Sequence, residues 1–245
     1  MTATPTLPRA MLIDMDDTIL AYGRPGKTWN IIAAEFRDEL GPHSPQETAT
    51  AIRAFAKDFW ASAEAKWRMQ LDEARRVTVK GGFTALAEAG HPALPDDLAI
   101  RLADRFTAYL EEEMFVFPGA HEAIDKFKAL GVKLALVTNG AADAQRAKVE
   151  RFALGHRFDH IQIEGEHGFG KPEARAYLHA MDALGVTAAD TWMVGDNLEW
   201  EVVTPQRLGI YAIWMDVHGK RLPAGSTIKP DRIIRSLTEL LPDVR

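Results

Sequence analysis

Two aspartates two residues apart, Asp14 and Asp16, follow the short apolar run Ala10 to Ile13, and a third acid, Asp17, comes next. Side chains alternate faces in an extended chain, so Asp14 and Asp16 point to one side and Asp17 away. One carboxylate of such a pair can attack an electrophile while the other handles protons. Three more polar sets each follow an apolar run: Thr138-Asn139-Gly140, Gly170-Lys171-Pro172 and Gly195-Asp196-Asn197. Carboxylates that converge without a cation repel one another, so either some are protonated or a metal is present. With no cysteine in the chain and no histidine cluster, the donors are oxygens, which suit a hard ion such as magnesium. Lys171, the Thr138 hydroxyl and the amides around Asn139-Gly140 are donors for an anionic oxygen. A metal beside such donors describes a phosphate site. There Asp14 would take the phosphoryl group, with magnesium and Lys171 screening the repulsion between anions. Asp16 would protonate the departing alkoxide and then deprotonate the hydrolytic water.

These residues must be brought together by the elements that carry them. Ala10 to Ile13, broken by acids, reads as a buried parallel strand. From about Lys27 to Met114 the apolar residues recur at helical spacing: Ile32, Phe36 and Leu40; Ile52, Phe55 and Phe59; Leu98, Leu102, Phe106 and Leu110. Ser44-Pro45-Gln46-Glu47 combines a hydroxyl cap, a proline at the first helical position and a glutamate placed to bond back, so a helix starts there. Beyond Phe117-Pro118-Gly119 helices alternate with apolar runs at Val132 to Val137, His160 to Ile163, Thr191 to Val194 and Ile210 to Met215. The helices are expected around Ile124, from Ala142, from Pro172 and from Glu199, and a capping box at Ser236 to Glu239 opens a closing helix. This alternation predicts an α/β fold with a doubly wound parallel sheet. The first strand is separated from its partners by an insert far longer than a βαβ crossover. The expected organisation is a core of 1–21 and 116–245 and an inserted all-helical cap domain at 22–115. Ligands of open parallel sheets bind outside the carboxyl ends of the strands, where all four polar sets fall.

Bulk properties narrow the partners. The 245 residues are 47% hydrophobic, enough to bury a full core. A net charge of -6 without a basic run gives no footprint for a nucleic acid polymer. Zero cysteines suit a reducing compartment. No stretch approaches the roughly 18 apolar residues of a membrane span. The expectation is a soluble cytoplasmic protein acting on a small phosphorylated molecule.

In order, Asp14-Met15-Asp16-Asp17-Thr18-Ile19-Leu20, Thr138-Asn139-Gly140, Gly170-Lys171-Pro172 and Val194-Gly195-Asp196-Asn197 resemble the four motifs of the haloacid dehalogenase superfamily of hydrolases. The resemblance spans the chain, because the insert after the first motif matches the helical-cap branch in place and length. It implies a Rossmann-like core, Asp14 as nucleophile, Asp16 as acid/base, Thr138 as phosphate binder, Lys171 as stabilising cation and Asp196 as metal ligand. The carbonyl of Asp16 would be a further ligand. Relatives often carry glycine where this chain has Asp17, and a second acid beyond Asp196. Glu201 takes that place, with Glu199 nearby, to support either the metal or Lys171. The expected magnesium set is Asp14, Asp16, Asp196 and Glu201, and the expected substrate contacts are Thr138, Asn139 and Lys171.

In the insert, Trp29, Trp60, Trp67, Arg24, Lys27, Lys66 and Arg68 are candidates for choosing the leaving group, although tryptophans at helical spacing usually pack cores and cations usually coat solvated faces. His121 and His167 show no paired spacing for a metal. A dehalogenase would need neither metal nor the acid at position 16. A phosphoaspartate receiver would be about half this length, with its acceptor after a later strand and no insert.

Overall fold

The computed structural model describes residues 7–23, 27–62 and 65–242. The leader before residue 7, and Arg24, lie outside the described residues. The chain opens with β1 (Ala10–Ile13) and β2 (Leu20–Ala21), then α1 (Thr28–Glu35), α2 (Pro45–Ser62), α3 (Leu71–Glu88) and α4 (Asp96–Glu112). Next come β3 (Phe115–Val116), α5 (Ala120–Ala129), β4 (Lys133–Thr138), α6 (Ala142–Arg151), β5 (His160–Ile163), α7 (Glu164–His167) and α8 (Ala174–Leu184). The chain closes with β6 (Thr191–Gly195), α9 (Thr204–Arg207), β7 (Tyr211–Met215) and β8 (Arg232–Ile234). It divides into two compact units, Met1–Ala21 with Phe115–Arg245, and Tyr22–Met114. Phe115, expected in the insert, belongs to β3, which pairs antiparallel with β2.

The first unit is built on a six-stranded sheet in the order β5-β4-β1-β6-β7-β8. Every neighbouring pair in it is parallel. Ile13 stands opposite Leu136 on one side and Val194 on the other, so the three central strands end nearly level. That register delivers Asp14, Thr138 and Asp196 to the same edge.

All four residues of β1 are buried, as a strand covered on both faces requires. Ala10 and Leu12 pack with Ala135, Val137 and Met193 against Tyr177, Ala180, Met181 and Leu184 of α8. The spacing of those four helix residues lays one apolar stripe on the sheet. Each large side chain buried this way contributes about 1.5–3 kcal/mol, so the edge that holds the polar residues is anchored by a rigid core.

The C-terminal third departs from the sequence expectation. The helix expected from Glu199 is a wide π turn, Leu198–Val203, before the four residues of α9. Pro205 has no N–H to return to Glu201, which removes one α-helical bond at that place. The capping box at Ser236 forms with Glu239, yet it opens only a 3-10 turn, Leu237–Leu240. Leu241 is extended at ψ 141, the conformation that a following proline favours. The edge strand β8 has three residues of which only Ile234 is buried, too weak an apolar signal to read beforehand.

In the second unit every described element is helical: α1 to α4 and a 3-10 turn, Ala65–Met69. Its core gathers Ile32, Leu40, Ile52, Phe83, Leu98 and Leu102. The cap expected before α2 is present, with Glu47 accepting from the Ser44 N–H at 3.0 Å and the Ser44 hydroxyl accepting from the Glu47 N–H at 3.2 Å. Trp29 stacks on Phe106 at 3.7 Å and belongs to this packing. Trp67 leans on Phe59, Trp60 is 42% exposed, and Lys66 lies over the Trp67 ring. Lys27 is exposed and Arg68 half-buried.

Two adjacent glycines in α3 let α2 approach. A Cβ on Gly82 would stand 2.8 Å from the backbone of Ile52, whereas one on Gly81 would stand 2.3 Å from the ring of Phe55, an exposed side chain that can swing aside as backbone cannot. Alanine in a helix gains roughly 0.5–1 kcal/mol over glycine, and overpacking against backbone costs about 1–3 kcal/mol. Gly82→Ala is therefore expected to destabilise the protein and Gly81→Ala to be neutral or stabilising. Urea unfolding of both variants checks this, and a more stable Gly82→Ala would contradict the packing argument.

Candidate active site

The Asp14 N–H donates to the Val194 carbonyl at 3.0 Å, extending the ladder between β1 and β6 by one step beyond the strand. Its side chain therefore leaves the sheet at the carboxyl edge. Oδ2 accepts from the Thr18 hydroxyl at 3.0 Å, and Oδ1 meets the Lys171 ammonium at 2.6 Å. Lys171 is fully buried. Its Nζ also lies 2.8 Å from Oε1 of Glu201, whose Oε2 accepts from the Asn197 N–H at 2.8 Å. A buried charge is tolerated when it is paired in this way.

Other residues hold these groups in place. Asn139 accepts the Lys171 N–H at 2.9 Å and donates to the Lys171 carbonyl at 2.6 Å. Each end of its amide thus bonds the lysine backbone, so it positions Lys171. Gly195 is required by a close approach: a Cβ there would stand 2.1 Å from Cγ of Glu201 and 3.0 Å from Cβ of Asp14. The Asp196 carbonyl accepts from the Trp214 indole at 2.7 Å, and the Asn197 side chain caps the following turn. Glu164 fixes the Gly140 N–H at 3.1 Å. Tyr177 donates its hydroxyl to the Trp200 carbonyl.

The aspartate pair is arranged differently from an extended strand. Asp17 adopts φ 57, the left-handed region that glycine enters freely and aspartate enters at moderate cost. This accounts for the glycine usual in the resembling family. The Asp16 carboxylate meets Lys148, 2.7 and 2.8 Å from its two oxygens, and Gln145 at 3.1 Å. Gln145 also donates to the Thr138 hydroxyl at 2.6 Å. Neither Gln145 nor Lys148 was expected from the sequence; their signal is a three-residue spacing on the helix directly after Thr138-Asn139-Gly140.

The acids outnumber the cation at their centre. Burial pushes Asp196 up to about 8, and the charges of Asp14, Glu201 and Asp17 push the same way against Lys171. Burial likewise raises Glu201 to about 7, with Lys171 opposing. Asp14 is raised, by burial first, against Lys171, and Asp17 is raised by burial and by its neighbours Asp16 and Asp14. For Lys171, burial acts to lower the pKa, but Asp14 and Glu201 outweigh it and hold the ammonium charged. One lysine shared among several carboxylates is strengthened as a cation while each carboxylate stays under-compensated. A hard cation fits such a donor set.

Among the described residues no three His, Cys, Asp or Glu side chains are grouped to hold a metal. Glu201, expected in the metal set, meets Lys171 through Oε1 and the Asn197 N–H through Oε2. Glu199 is half exposed and 3.7 Å from Arg207. His167 bonds the Ile163 carbonyl at 3.1 Å in α7, within an ordered turn, and burial lowers His121.

Removing Lys171 leaves two buried carboxylates facing each other, so Lys171→Met is expected to cost about 3–5 kcal/mol of stability near neutral pH. Carboxyls raised in the folded state bind protons that the unfolded chain has released between about pH 4 and 8, so stability falls as pH rises through that window. The variant's deficit should therefore shrink at about pH 5. Urea unfolding at the two pH values measures it, and an equal deficit at both would contradict the ion-pair account.

Comparison with known proteins adds a family model, described as haloacid dehalogenase-like hydrolase, that matches residues 8–209. Phosphoserine phosphatase of Thermus thermophilus is 35% identical over 157 residues, 64% of this chain; the match spans only 60% of that protein's length. Ribulose-1,5-bisphosphate 5-phosphatase of Halopiger xanaduensis is 28% identical over 219 residues, 84% of each chain. The structure of the HAD-hydrolase YfnB from Bacillus subtilis, solved bound to magnesium, superimposes with a TM-score of 0.69 at 25% identity, covering 96% of this chain and 97% of that one. The family model accounts for most of the chain, including all four polar sets at the sheet edge, and the chain belongs to the haloacid dehalogenase-like hydrolases.

Proposed function

We propose that this chain is a magnesium-dependent phosphomonoester hydrolase that forms an aspartyl-phosphate on Asp14. The observation that carries the reading is the buried Lys171 ammonium 2.6 Å from Asp14 and 2.8 Å from Glu201. A carboxylate attacks a phosphate ester only if the charge of both is countered, and the lysine is fixed beside the attacking group before substrate arrives. The phosphatases among its relatives support the same chemistry.

Asp14 would hold the metal with Asp196 and the carbonyl of Asp16, waters completing the shell as magnesium prefers. When bound, magnesium neutralises phosphoryl oxygens and the excess carboxylate charge. The protein's own groups do the rest. Asp14 attacks phosphorus, Thr138 donates to a phosphoryl oxygen, and Lys171 stabilises the charge that spreads over the equatorial oxygens. Asp16 gives a proton to the departing alkoxide and recovers one from the water that hydrolyses the intermediate. Its presence favours an oxygen leaving group over halide, which needs no proton. The second unit would act as a cap selecting the leaving group, a small phosphorylated metabolite.

Asp14→Asn is expected to reduce turnover of p-nitrophenyl phosphate about a thousandfold or more with the fold retained by circular dichroism, while the melting temperature falls because the buried Lys171 loses one partner. Near-normal activity would remove Asp14 as nucleophile. Magnesium should raise the melting temperature of the wild type, more at about pH 8 than at about pH 5 because protons compete for Asp196, which is raised to about 8. Asp196→Asn should lose most of that rise; an unchanged magnesium response in this variant would exclude the ligand set.

A further inference from the structure

Helix α6 brings Gln145 and Lys148, three residues apart and therefore on one helix face, against the acid two positions beyond the nucleophile. Lys148 Nζ stands 2.7 Å from Oδ1 and 2.8 Å from Oδ2 of Asp16, so a single ammonium spans both oxygens. Gln145 Nε2 stands 3.1 Å from Asp16 Oδ2, 2.6 Å from Thr138 Oγ1 and 2.7 Å from the Asn139 carbonyl. The Lys148 and Asp16 side chains are 17% and 28% exposed, well below the solvated ion pairs that contribute little. One helix face thus ties the carboxylate of Asp16 to the hydroxyl of Thr138.

We propose that Lys148 is a positioning residue for Asp16, fixing the direction of its carboxylate, and that Gln145 couples that direction to the phosphate-binding Thr138. The inference rests on the phosphatase reading above. In the first step a bond forms from Asp14 to phosphorus, the ester P–O bond breaks, and the proton that the monoanionic ester brings passes through Asp16 to the departing oxygen, leaving Asp16 as the carboxylate that Lys148 holds. In the second, water forms a bond to phosphorus, its proton goes to Asp16, and the Asp14–phosphorus bond breaks to return the carboxylate. The same carboxyl is aimed at the leaving oxygen and then at the water, and a misaimed group loses part of the roughly 10²–10⁴-fold that such proton transfer supplies.

The test compares two esters, because p-nitrophenolate departs without a proton whereas an alkoxide does not. Wild type, Lys148→Met, Lys148→Arg and Asp14→Asn are assayed with magnesium on p-nitrophenyl phosphate and on a panel of alkyl phosphates. In Lys148→Met, kcat/KM for the alkyl phosphate that wild type turns over best should fall about tenfold or more, while that for p-nitrophenyl phosphate stays within about twofold. Lys148→Arg should restore most of the alkyl activity, since a guanidinium can span both carboxylate oxygens. Equal losses on both esters, no loss on either, or no recovery in Lys148→Arg would overturn the positioning role. A wild type that hydrolyses neither ester overturns the phosphatase reading and this inference with it; that result is separable, because it appears before any Lys148 variant is considered.

Discussion

The structure of the first unit turns on one buried ammonium. Lys171 has no solvent to stabilise it, so it exists only because Asp14 and Glu201 stand at 2.6 and 2.8 Å. Each of these three residues comes from a different segment: the end of β1, the loop before α8 and the turn after β6. A pair that must meet at hydrogen-bond distance therefore fixes three chain segments against one another. The cost of burying the charge is large enough that the lysine backbone is clamped on both sides by Asn139 and the approach of Glu201 is kept open by Gly195. Replacing such a cluster by apolar residues often stabilises a protein, so its retention here points to chemistry rather than to folding.

The same cluster explains why the site calls for more positive charge than it contains. Lys171 satisfies Asp14 and Glu201 in part, while Asp196 and Asp17 press on them with little compensation. A divalent ion bound there would relieve that strain. Asp16 adds its charge to Asp14 and Asp17 but has a cation of its own in Lys148 on α6. The edge of the sheet thus separates two carboxylates two residues apart into different electrostatic surroundings, one facing Lys171 and one facing Lys148, which suits them to different roles.

Much of this was legible in the chain. A buried parallel strand reads as an uninterrupted apolar run, and β4, β5, β6 and β7 each lie within a residue or so of such a run. Polar residues placed at the ends of those runs had to share an edge once the strands were parallel. Side-chain commitments were not legible. Thr-Asn-Gly gives no sign that Asn139 serves the Lys171 backbone, because the partner is far along the chain and the bonds run to main-chain atoms. Glu201 gave no sign in the sequence that Lys171 would stand 2.8 Å from it. Gln145 and Lys148 resembled the solvated cations and amides of any surface helix, and nothing in their spacing tied them to Asp16, which lies far back along the chain. β8 and the shortened closing helix were lost for a simpler reason: one buried residue and a proline outweigh what a short window can show.

The central claim is that Asp14, held by Lys171, is the group that becomes phosphorylated. Rapid quenching during turnover, borohydride reduction and peptide mass spectrometry report this directly, because reduction converts an aspartyl-phosphate to homoserine. The account predicts homoserine at position 14, dependent on substrate and on magnesium. Turnover without modification at position 14, or modification at another carboxylate, would contradict it.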